Sequence, residues 1–570
     1  MIMDLLNDPI TQKKLGAFYT PPAYCELAYK LLKKAIARVP KGNDYVIIDR
    51  CAGTGNLENV LNDEELSHTI ISTYELKEWY VLKDRIGKRV RHIIPPIPAP
   101  PNLPKLNKDG FLSGADALSK DFIDEIHKVI QKTKQKKNVS IILYENPPYA
   151  ETTGIEFQKR GLGKEHSAWK QSFVVQEMRK EVKGTALNEL SNAFIWSAFK
   201  FFLKQNSDSY VVFSPVKYWK AHHLINKKFI EGYGFNRKHF HAPTPATIMC
   251  ALWSNENAKL ENLNLKAVDL GENDERLEQG EIIVKRIHSI FSEKFYDNRK
   301  DEKDTKDGIV VELNGLESKK NKKQISVDKI FNKNIIGYMV NDSSNFDNAR
   351  LHCNFLISGR YNGHGFFVRD DNFLEKLPLF AAGKYTDHDN DWKIMSMLMR
   401  SGDKAEIYHK DIKSGKLDKF LCQTLIWTCL THYAHLRSLK GSDNRLYLNQ
   451  LCFDGATLAS KKLDEFIKKG YKLNATEKAL LARYEQILER VRENKDKIYK
   501  NFNKAYKYGI YQIDEEINVK EQRGLKPDGT PNMVYIDGDL NNMLKSFKEE
   551  VKNYYKANLV DTLFEYELLK

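Results

Sequence analysis

The feature that most constrains the fold is an alternation of short apolar segments and helix-periodic segments between residues 15 and 255. Helical periodicity over 23–39 precedes an apolar run at 45–48, and further apolar runs follow at 69–74, 139–144, 210–213 and 247–253. Strands that alternate with helices pair in parallel, because each helix crosses over one face of the sheet. The sequence therefore predicts an α/β domain with a mostly parallel sheet covered on both faces.

The chain has 570 residues, which is enough for more than this one domain. Polar and highly charged sequence begins near residue 259, and the segments beyond residue 325 have a mixed strand and helix pattern. We expect an α/β domain over 1–258, a charged boundary or insert over 259–325, and a mixed α/β region with C-terminal helices over 326–570.

Net charge, apolar runs and cysteine spacing indicate which binding partners this chain can have. The formal net charge is +14, which favours contact with phosphate groups. No apolar run reaches the roughly 18 residues of a membrane helix and no signal-peptide pattern is present, so we expect a cytoplasmic protein without a membrane partner. The seven cysteines form no C-x-x-C pair, and we expect neither a zinc ribbon nor any other metal site.

A glycine-rich turn, Asp49-Arg50-Cys51-Ala52-Gly53-Thr54-Gly55, follows the apolar run 45–48. Glycines after a buried strand let the backbone pass close to a ligand at the carboxyl end of the strand, where open α/β sheets bind ligands. The turn lacks the third glycine of the dinucleotide fingerprint. At the end of the next apolar run, Glu75 offers a carboxylate that can accept hydrogen bonds from both ribose hydroxyls. Together these features predict a nucleoside-binding site.

A second motif, Asn146-Pro147-Pro148-Tyr149, follows the apolar run 139–144. The two prolines remove two backbone donors and stiffen the turn. The Asn146 side-chain oxygen and a proline carbonyl can accept both hydrogens of an exocyclic amino group, while Tyr149 offers an aromatic face on which a base can stack. The motif therefore predicts a site that presents an NH2 group.

These motifs, in this order, resemble those of the DNA adenine-N6 methyltransferases that use S-adenosylmethionine. Residues 16–21 (GAFYTP) are similar to the family's N-terminal cofactor motif, and Asp116 to the residue that holds the cofactor's adenine amino group. Residues 191–194 (SNAF) resemble the helix whose phenylalanine packs on that adenine. The order is similar to the gamma arrangement of restriction-modification enzymes, in which a target recognition domain follows the catalytic domain.

The resemblance implies a Rossmann-like S-adenosylmethionine-dependent methyltransferase domain, followed by a mixed α+β DNA target recognition region. It implies that Asn146, Pro147, Pro148 and Tyr149 are catalytic. Tyr149 would stack on a flipped-out adenine, with His241 or its neighbour Phe240 on the other face. The cofactor-binding residues that it implies are Tyr19, Thr20, Pro21, Asp49, Cys51, Ala52, Gly53, Gly55, Glu75, Leu76, Asp116, Asn146, Pro148 and Phe194.

The expected activity is transfer of a methyl group from S-adenosyl-L-methionine to the N6 amino group of adenine in double-stranded DNA. The expected setting is a bacterial cytoplasm, where the protein would be nucleoid-associated through DNA and would act as a monomer, with a separate restriction endonuclease as a candidate partner. Three alternatives stay open. They are an amino-methyltransferase that acts on RNA or on a protein glutamine, a fused restriction and modification enzyme, and a noncatalytic DNA-binding specificity subunit.

Overall fold

The computed structural model describes residues 20–100, 110–134, 138–149, 165–240, 246–295, 310–312, 335–340, 354–356, 365–385, 391–395, 397–432, 436–440, 446–449, 455–498 and 507–570. The chain divides into two compact units, Met1–Arg286 with His388–Met397 and Ile287–Asp387 with Leu398–Lys570. Within these described ranges, no helix has the length and apolarity needed to cross a membrane.

The first unit is organised around one large sheet. Its strands, in chain order, are β1 (Asp44–Asp49), β2 (Thr69–Ile71), β3 (His92–Ile93), β4 (Ile97–Pro98), β5 (Phe111–Ser113), β6 (Val139–Glu145), β7 (Ser209–Pro215), β8 (Lys227–Asn236), β9 (Thr247–Asn257), β10 (Asn262–Leu270) and β11 (Arg276–Lys285). Nine of them pair in the order β11-β10-β8-β9-β7-β6-β1-β2-β3, and β4 pairs with β5 alone. Neighbours from β7 to β3 are parallel, whereas β9 runs antiparallel to both β7 and β8. The predicted, mostly parallel sheet is confirmed.

Helices cover both faces of this sheet. They are α1 (Pro22–Ala37), α2 (Asp63–Ser67), α3 (Leu76–Ile86), α4 (Lys120–Lys134), α5 (Phe173–Met178), α6 (Leu190–Ser197) and α7 (Lys217–Lys220). Val46 and Ile48 of β1 belong to one buried cluster, whereas Ile47 between them belongs to another. A strand that is buried on both faces is a continuous apolar run, which explains why β1, β6 and β7 could be recognised in the sequence.

The sheet continues beyond residue 258, where the sequence analysis placed the end of the domain. In β10 the side chains of Leu263 and Leu265 are buried, while Asn264 between them and Lys266 after them are exposed. This alternation has the period of a strand with one solvated face, and the composition of the segment conceals it. The charged segment therefore begins with two sheet strands, and the first unit extends to Arg286.

The second unit contains both helices and strands. Its helices are α8 (Phe291–Phe295), α9 (Phe373–Ala382), α11 (Ala405–Lys413), α12 (Asp418–Thr431), α13 (Gly455–Lys468), α14 (Ala475–Ile498), α15 (Ile510–Glu516), α16 (Gly538–Tyr555) and α17 (Asp561–Glu565), while the short α10 (Trp392–Met395) belongs to the first unit. Its strands are β12 (Val310–Glu312), β13 (Gly337–Val340), β14 (Asn354–Leu356), β15 (Gly365–Val368), β16 (Leu436–Lys440), β17 (Leu446–Asn449), β18 (Lys520–Leu525) and β19 (Pro531–Tyr535). Helix α12 ends at Thr431, and residues 436–440 form β16, which pairs with β17.

Candidate active site

The candidate site lies where the strand order of the first unit reverses. β2 and β3 follow on one side of β1, whereas β6 and β7 follow on the other. The loops that leave β1 and β6 therefore diverge and open a crevice at the carboxyl ends of the strands, which is the general ligand position in open α/β sheets. Asp49 ends β1, and Asn146 directly follows Glu145 at the end of β6. The two motifs singled out in the sequence are thus adjacent in space.

The glycine turn after β1 is tied to the end of β2. The Ala52 N–H donates to the Ser72 carbonyl at 2.8 Å, and the Ser72 N–H donates to the Asp49 carbonyl at 3.0 Å. Gly55 has a φ of +86°, and a Cβ atom there would lie 3.1 Å from the Ile86 side chain. Glycine suits this position, because the backbone conformation is left-handed and a side chain there would press on the packed Ile86 and Leu82 side chains.

Two predicted cofactor-binding acids lie on neighbouring loops. The Gly114 N–H donates to the Tyr74 carbonyl at 2.7 Å, and a Cβ on Gly114 would lie 2.2 Å from the Thr73 carbonyl oxygen. This close contact fixes the loop of Asp116 against the end of β2, next to Glu75. Burial raises the pKa of both carboxyls. Tyr74, with 57% of its surface exposed, lies near both acids, whose charges raise its pKa in addition to burial.

Asp49 faces a second buried acid, Glu58, and each residue is only 1% exposed. Asp49 Oδ1 accepts the Cys51 N–H at 2.8 Å. Apart from each other, Asp49 Oδ2 and the two Glu58 oxygens have no hydrogen-bond partner in the described part of the chain. Burial, and then the charge of Glu58, raise the pKa of Asp49 well above its usual range, and burial raises the pKa of Glu58 to about 7. Burial therefore favours the protonated form of both carboxyls.

A buried ion pair lies directly beneath these loops. Arg50 Nε donates to Glu145 Oε2 at 2.9 Å, the Arg50 guanidinium also contacts Glu145 Oε1, and both side chains are fully buried. Arg50 further donates to Ser197 Oγ at 2.7 Å and to the Phe194 carbonyl at 2.8 Å, while the Tyr210 hydroxyl donates to Glu145 Oε1 at 2.6 Å. The pair connects β1, β6, β7 and α6, so it holds both motifs in register.

The Arg50–Glu145 pair also determines whether a nearby group of acidic and cysteine side chains could bind a cation. Asp49, Cys51 and Glu145 each place one potential ligand atom within 4.8 Å of the others. Both oxygens of Glu145 already accept hydrogen bonds from Arg50, and a metal ion there would meet the guanidinium charge. The residues therefore do not fit a metal ion.

The Asn146 side chain is held at both ends. Asn146 Nδ2 donates to Thr20 Oγ1 at 2.9 Å, and the Tyr149 hydroxyl donates to Asn146 Oδ1 at 2.6 Å. The Pro148 carbonyl accepts a hydrogen bond from Ser191 Oγ, which secures the turn to α6. We find no donor to the Pro147 carbonyl within the described part of the chain. Asn146 Oδ1 and the Pro147 carbonyl are thus the two acceptors that the motif offers.

The phenylalanines assigned to stacking roles are buried in the core. Phe240 is 1% exposed, and its ring packs against Tyr24 and Phe213 at centroid distances of 5.7 and 6.2 Å. The expectation that Phe240 stacks on a target base is therefore corrected, because the ring has no free face. Phe194 is 5% exposed and lies 5.2 Å from the Arg50 guanidinium, so its visible role is to cover the buried ion pair.

The other predicted residues lie around the crevice or outside the described residues. Pro21 is the N-cap of α1, and Leu76 is the first residue of α3, directly after Glu75. Tyr19 and His241 lie outside the described residues. Sequence reasoning missed Tyr74, Glu58 and the Arg50–Glu145 pair. In the sequence these residues are marked only by their closeness to the motifs. Their burial could not be expected, because charged residues next to a buried strand are usually exposed.

Comparisons with known proteins give little further information. No protein-family model and no curated protein matches the chain. Among solved structures, similarity was found to a DrdV–DNA complex (TM-score 0.31, 13% identity, 60% of this chain and 37% of that chain). A type I restriction-modification methyltransferase subunit from Streptococcus thermophilus gives a TM-score of 0.25 at 15% identity, over 44% of this chain and 47% of that one. The type IIL restriction-modification enzyme MmeI in complex with DNA gives a TM-score of 0.31 at 12% identity, over 97% of this chain and 77% of that one. The chain thus spans less than half the length of the first two proteins, and at these scores the similarities establish no shared fold.

Proposed function

We propose that this chain is an S-adenosylmethionine-dependent DNA methyltransferase that modifies the N6 amino group of an adenine in double-stranded DNA. The observation that carries the proposal is the position of Asn146. Asn146 directly follows β6 at the reversal of the strand order, and β6 pairs with β1, which leads into the glycine turn 49–55. An amino group held by Asn146 Oδ1 and the Pro147 carbonyl would lie next to whatever ligand the glycine turn binds.

The residues around the glycine turn suit a cationic nucleoside. Glu75 would accept hydrogen bonds from the ribose hydroxyls, and Asp116 from the adenine amino group, because both carboxyls lie on loops fixed at the end of β2. The turn itself offers backbone at close range. Within the described part of the chain, Asp49 Oδ2 and both Glu58 oxygens are buried without a hydrogen-bond partner, and a nearby positive charge would favour the ionised form of this carboxyl pair. When bound, S-adenosylmethionine supplies a methyl group on a positively charged sulfur.

Asn146 and the Pro147 carbonyl would activate the target nitrogen. The lone pair of an adenine amino group is delocalised into the ring, so the nitrogen is a poor nucleophile. Two acceptors for its two hydrogens would localise that lone pair and direct it toward the methyl donor. No strong base is needed if the proton leaves after the transfer. Catalysis then rests on positioning and electrostatic stabilisation, with reacting atoms at about 3 to 3.5 Å.

An adenine can reach this crevice only after it leaves the duplex, at a cost of a few kcal/mol for unstacking. Tyr149, which is half-buried beside Asn146, would offset part of that cost by stacking on the flipped base. The net charge of +14 would supply phosphate contacts, which give affinity and register rather than sequence choice.

The test is methyl transfer by the purified protein from tritiated S-adenosylmethionine to unmethylated DNA, followed by nucleoside mass spectrometry. We expect N6-methyladenine with the wild type and none with Asn146→Ala. The matched control is Asn257→Ala, which should keep wild-type activity, because Asn257 is an exposed asparagine at the end of β9, on the side of the sheet where the parallel strands begin. Label in RNA or in a glutamine peptide, but not in DNA, would reject the proposal, as would an active Asn146→Ala variant.

A further inference from the structure

The buried carboxyls of Asp49 and Glu58 lie directly behind the glycine turn 49–55. Glu58 Oε2 lies 3.8 Å from the position that a Cβ atom on Gly55 would take, on the packed side of the turn. Asp49 Oδ1 accepts the Cys51 N–H at 2.8 Å, so this carboxyl is bonded to the turn itself. Both residues are only 1% exposed. A ligand bound against the turn would therefore lie close to both carboxyls.

No bound cation balances these carboxyls among the described residues. Asp49 Oδ2 and both Glu58 oxygens have no hydrogen-bond partner outside the pair in the described ranges. The two nearest arginines bond elsewhere: Arg50 to Glu145, and Arg85 Nη1 to the Thr54 carbonyl at 2.5 Å. An ionised carboxylate that is buried without a partner costs free energy. A positive charge brought to the turn would reduce that cost.

The other groups that face the pair do not supply this charge. The charge of Arg85 lowers the pKa of Glu58, whereas burial raises it, and the charge of Glu145 raises the pKa of Asp49. The remaining titratable neighbours are neutral, because burial raises the pKa of each. They are Cys25, Cys51 and Tyr144.

The proposed reaction changes the charge of the ligand at this turn. As the methyl group passes to the amino nitrogen of adenine, the electron pair of the broken sulfur–carbon bond stays on sulfur, and the nitrogen loses a proton to water. The positively charged sulfur of S-adenosylmethionine becomes the neutral sulfur of S-adenosylhomocysteine. A buried negative charge near the turn would attract the first sulfur and not the second.

We propose that Asp49 and Glu58 form a charge-selective element, which carries one negative charge when S-adenosylmethionine is bound and so favours the methyl donor over its neutral product. This inference rests on the proposed function and extends it to the choice between substrate and product. Two neighbouring buried carboxyls resist a second ionisation, so the pair matches a single positive charge. After methyl transfer the pair would take up a proton again, and the product would be held less tightly.

The experiment measures Kd by titration calorimetry at pH 8 for S-adenosylmethionine and for S-adenosylhomocysteine. The double variant Asp49→Asn with Glu58→Gln keeps the shape of both side chains and removes their charge. It should bind S-adenosylmethionine at least about tenfold more weakly, while the Kd for S-adenosylhomocysteine stays within about threefold. Glu58→Gln alone should have a smaller effect, because Asp49 can still carry the charge. Glu64→Gln, an exposed acid of α2, is the matched control and should change neither Kd.

A second measurement uses the wild type alone. Calorimetry at pH 6.5 in two buffers of different ionisation enthalpy reports the protons that binding releases. Binding of S-adenosylmethionine should release up to about one proton more than binding of S-adenosylhomocysteine, because only the first ligand brings a positive sulfur.

Equal weakening of both ligands in the double variant would overturn the inference, because the carboxyls would then only shape the turn. Equal proton release by the two ligands would overturn it as well. A wild type that binds both ligands but methylates no DNA would reject the proposed function instead, and the two Kd values would still decide whether the pair selects by charge.

Discussion

Replacement of Arg50 by methionine should destabilise the first unit strongly. Arg50 makes two contacts to Glu145, one to Ser197 Oγ at 2.7 Å and one to the Phe194 carbonyl at 2.8 Å. Methionine fills most of the volume but makes none of these contacts. Glu145 would then remain fully buried, with the Tyr210 hydroxyl at 2.6 Å as its neighbour in this network. The loss of the arginine thus leaves a buried carboxylate without a balancing charge.

The size of the effect follows from that geometry. Removal of one partner of a buried pair costs about 3 to 5 kcal/mol, and no discount for solvent screening applies here because both side chains are fully buried. Replacement of both partners by apolar residues, Arg50→Met with Glu145→Leu, leaves no unpaired charge and should cost less than the sum of the single changes. We expect a coupling of about 2 to 3 kcal/mol in a double-mutant cycle.

Equilibrium unfolding in urea, followed by circular dichroism for the wild type, the two single variants and the double variant, measures these terms. Arg50→Lys is the matched control, because it keeps the charge but not the two-pronged contact. Its free energy of unfolding should lie between those of the wild type and Arg50→Met. Single variants that each cost less than about 1 kcal/mol, or costs that add without coupling, would refute the assignment of a buried ion pair beneath the site.

Three further predictions concern the residues around the crevice. The pKa of Glu58 is about 7 rather than 4.5, so the folded protein holds a proton that the unfolded chain releases, and the free energy of unfolding should fall as pH rises between those values. Glu58→Gln should flatten this fall, measured from urea midpoints at pH 5 and pH 8; an unchanged slope would contradict it. In Gly114→Ala the new Cβ would lie 2.2 Å from a backbone carbonyl, so the Asp116 loop should move away from Glu75. Titration calorimetry should then show at least about tenfold weaker binding of S-adenosylmethionine. Phe240→Ala should lower the free energy of unfolding by about 3 to 5 kcal/mol, with little change in the kcat of the folded enzyme. A loss of kcat without a loss of stability would instead support a stacking role for Phe240.

The sequence predicted the parts of the fold that follow from local pattern. Strands β1, β6 and β7 are continuous apolar runs, and their turns carry glycine or proline, so both the strands and the edge where the motifs meet could be predicted. Strands β10 and β11 were missed, because alternation with one charged face resembles a polar insert when only composition is considered.

The candidate site was predictable only in part for the same reason. Asn146, Glu75 and the glycine turn belong to contiguous motifs. Arg50 was not predicted as a buried residue, because its partner Glu145 lies 95 positions away and only the parallel pairing of β1 with β6 brings them together. Phe240 was assigned to the site from its place in the sequence. Its burial depends on Tyr24 and Phe213, which no local pattern connects to it.

The measurement that tests the central claim most directly is base-resolution modification sequencing of DNA from a methylation-deficient host that expresses the chain, compared with the Asn146→Ala variant. The account predicts N6-methyladenine at one short DNA sequence with the wild type and its absence with the variant. Absence of modified adenine with a folded, DNA-binding wild type, or an equal signal from both proteins, would contradict the assignment of Asn146 and the Pro147 carbonyl as the acceptors of the target amino group.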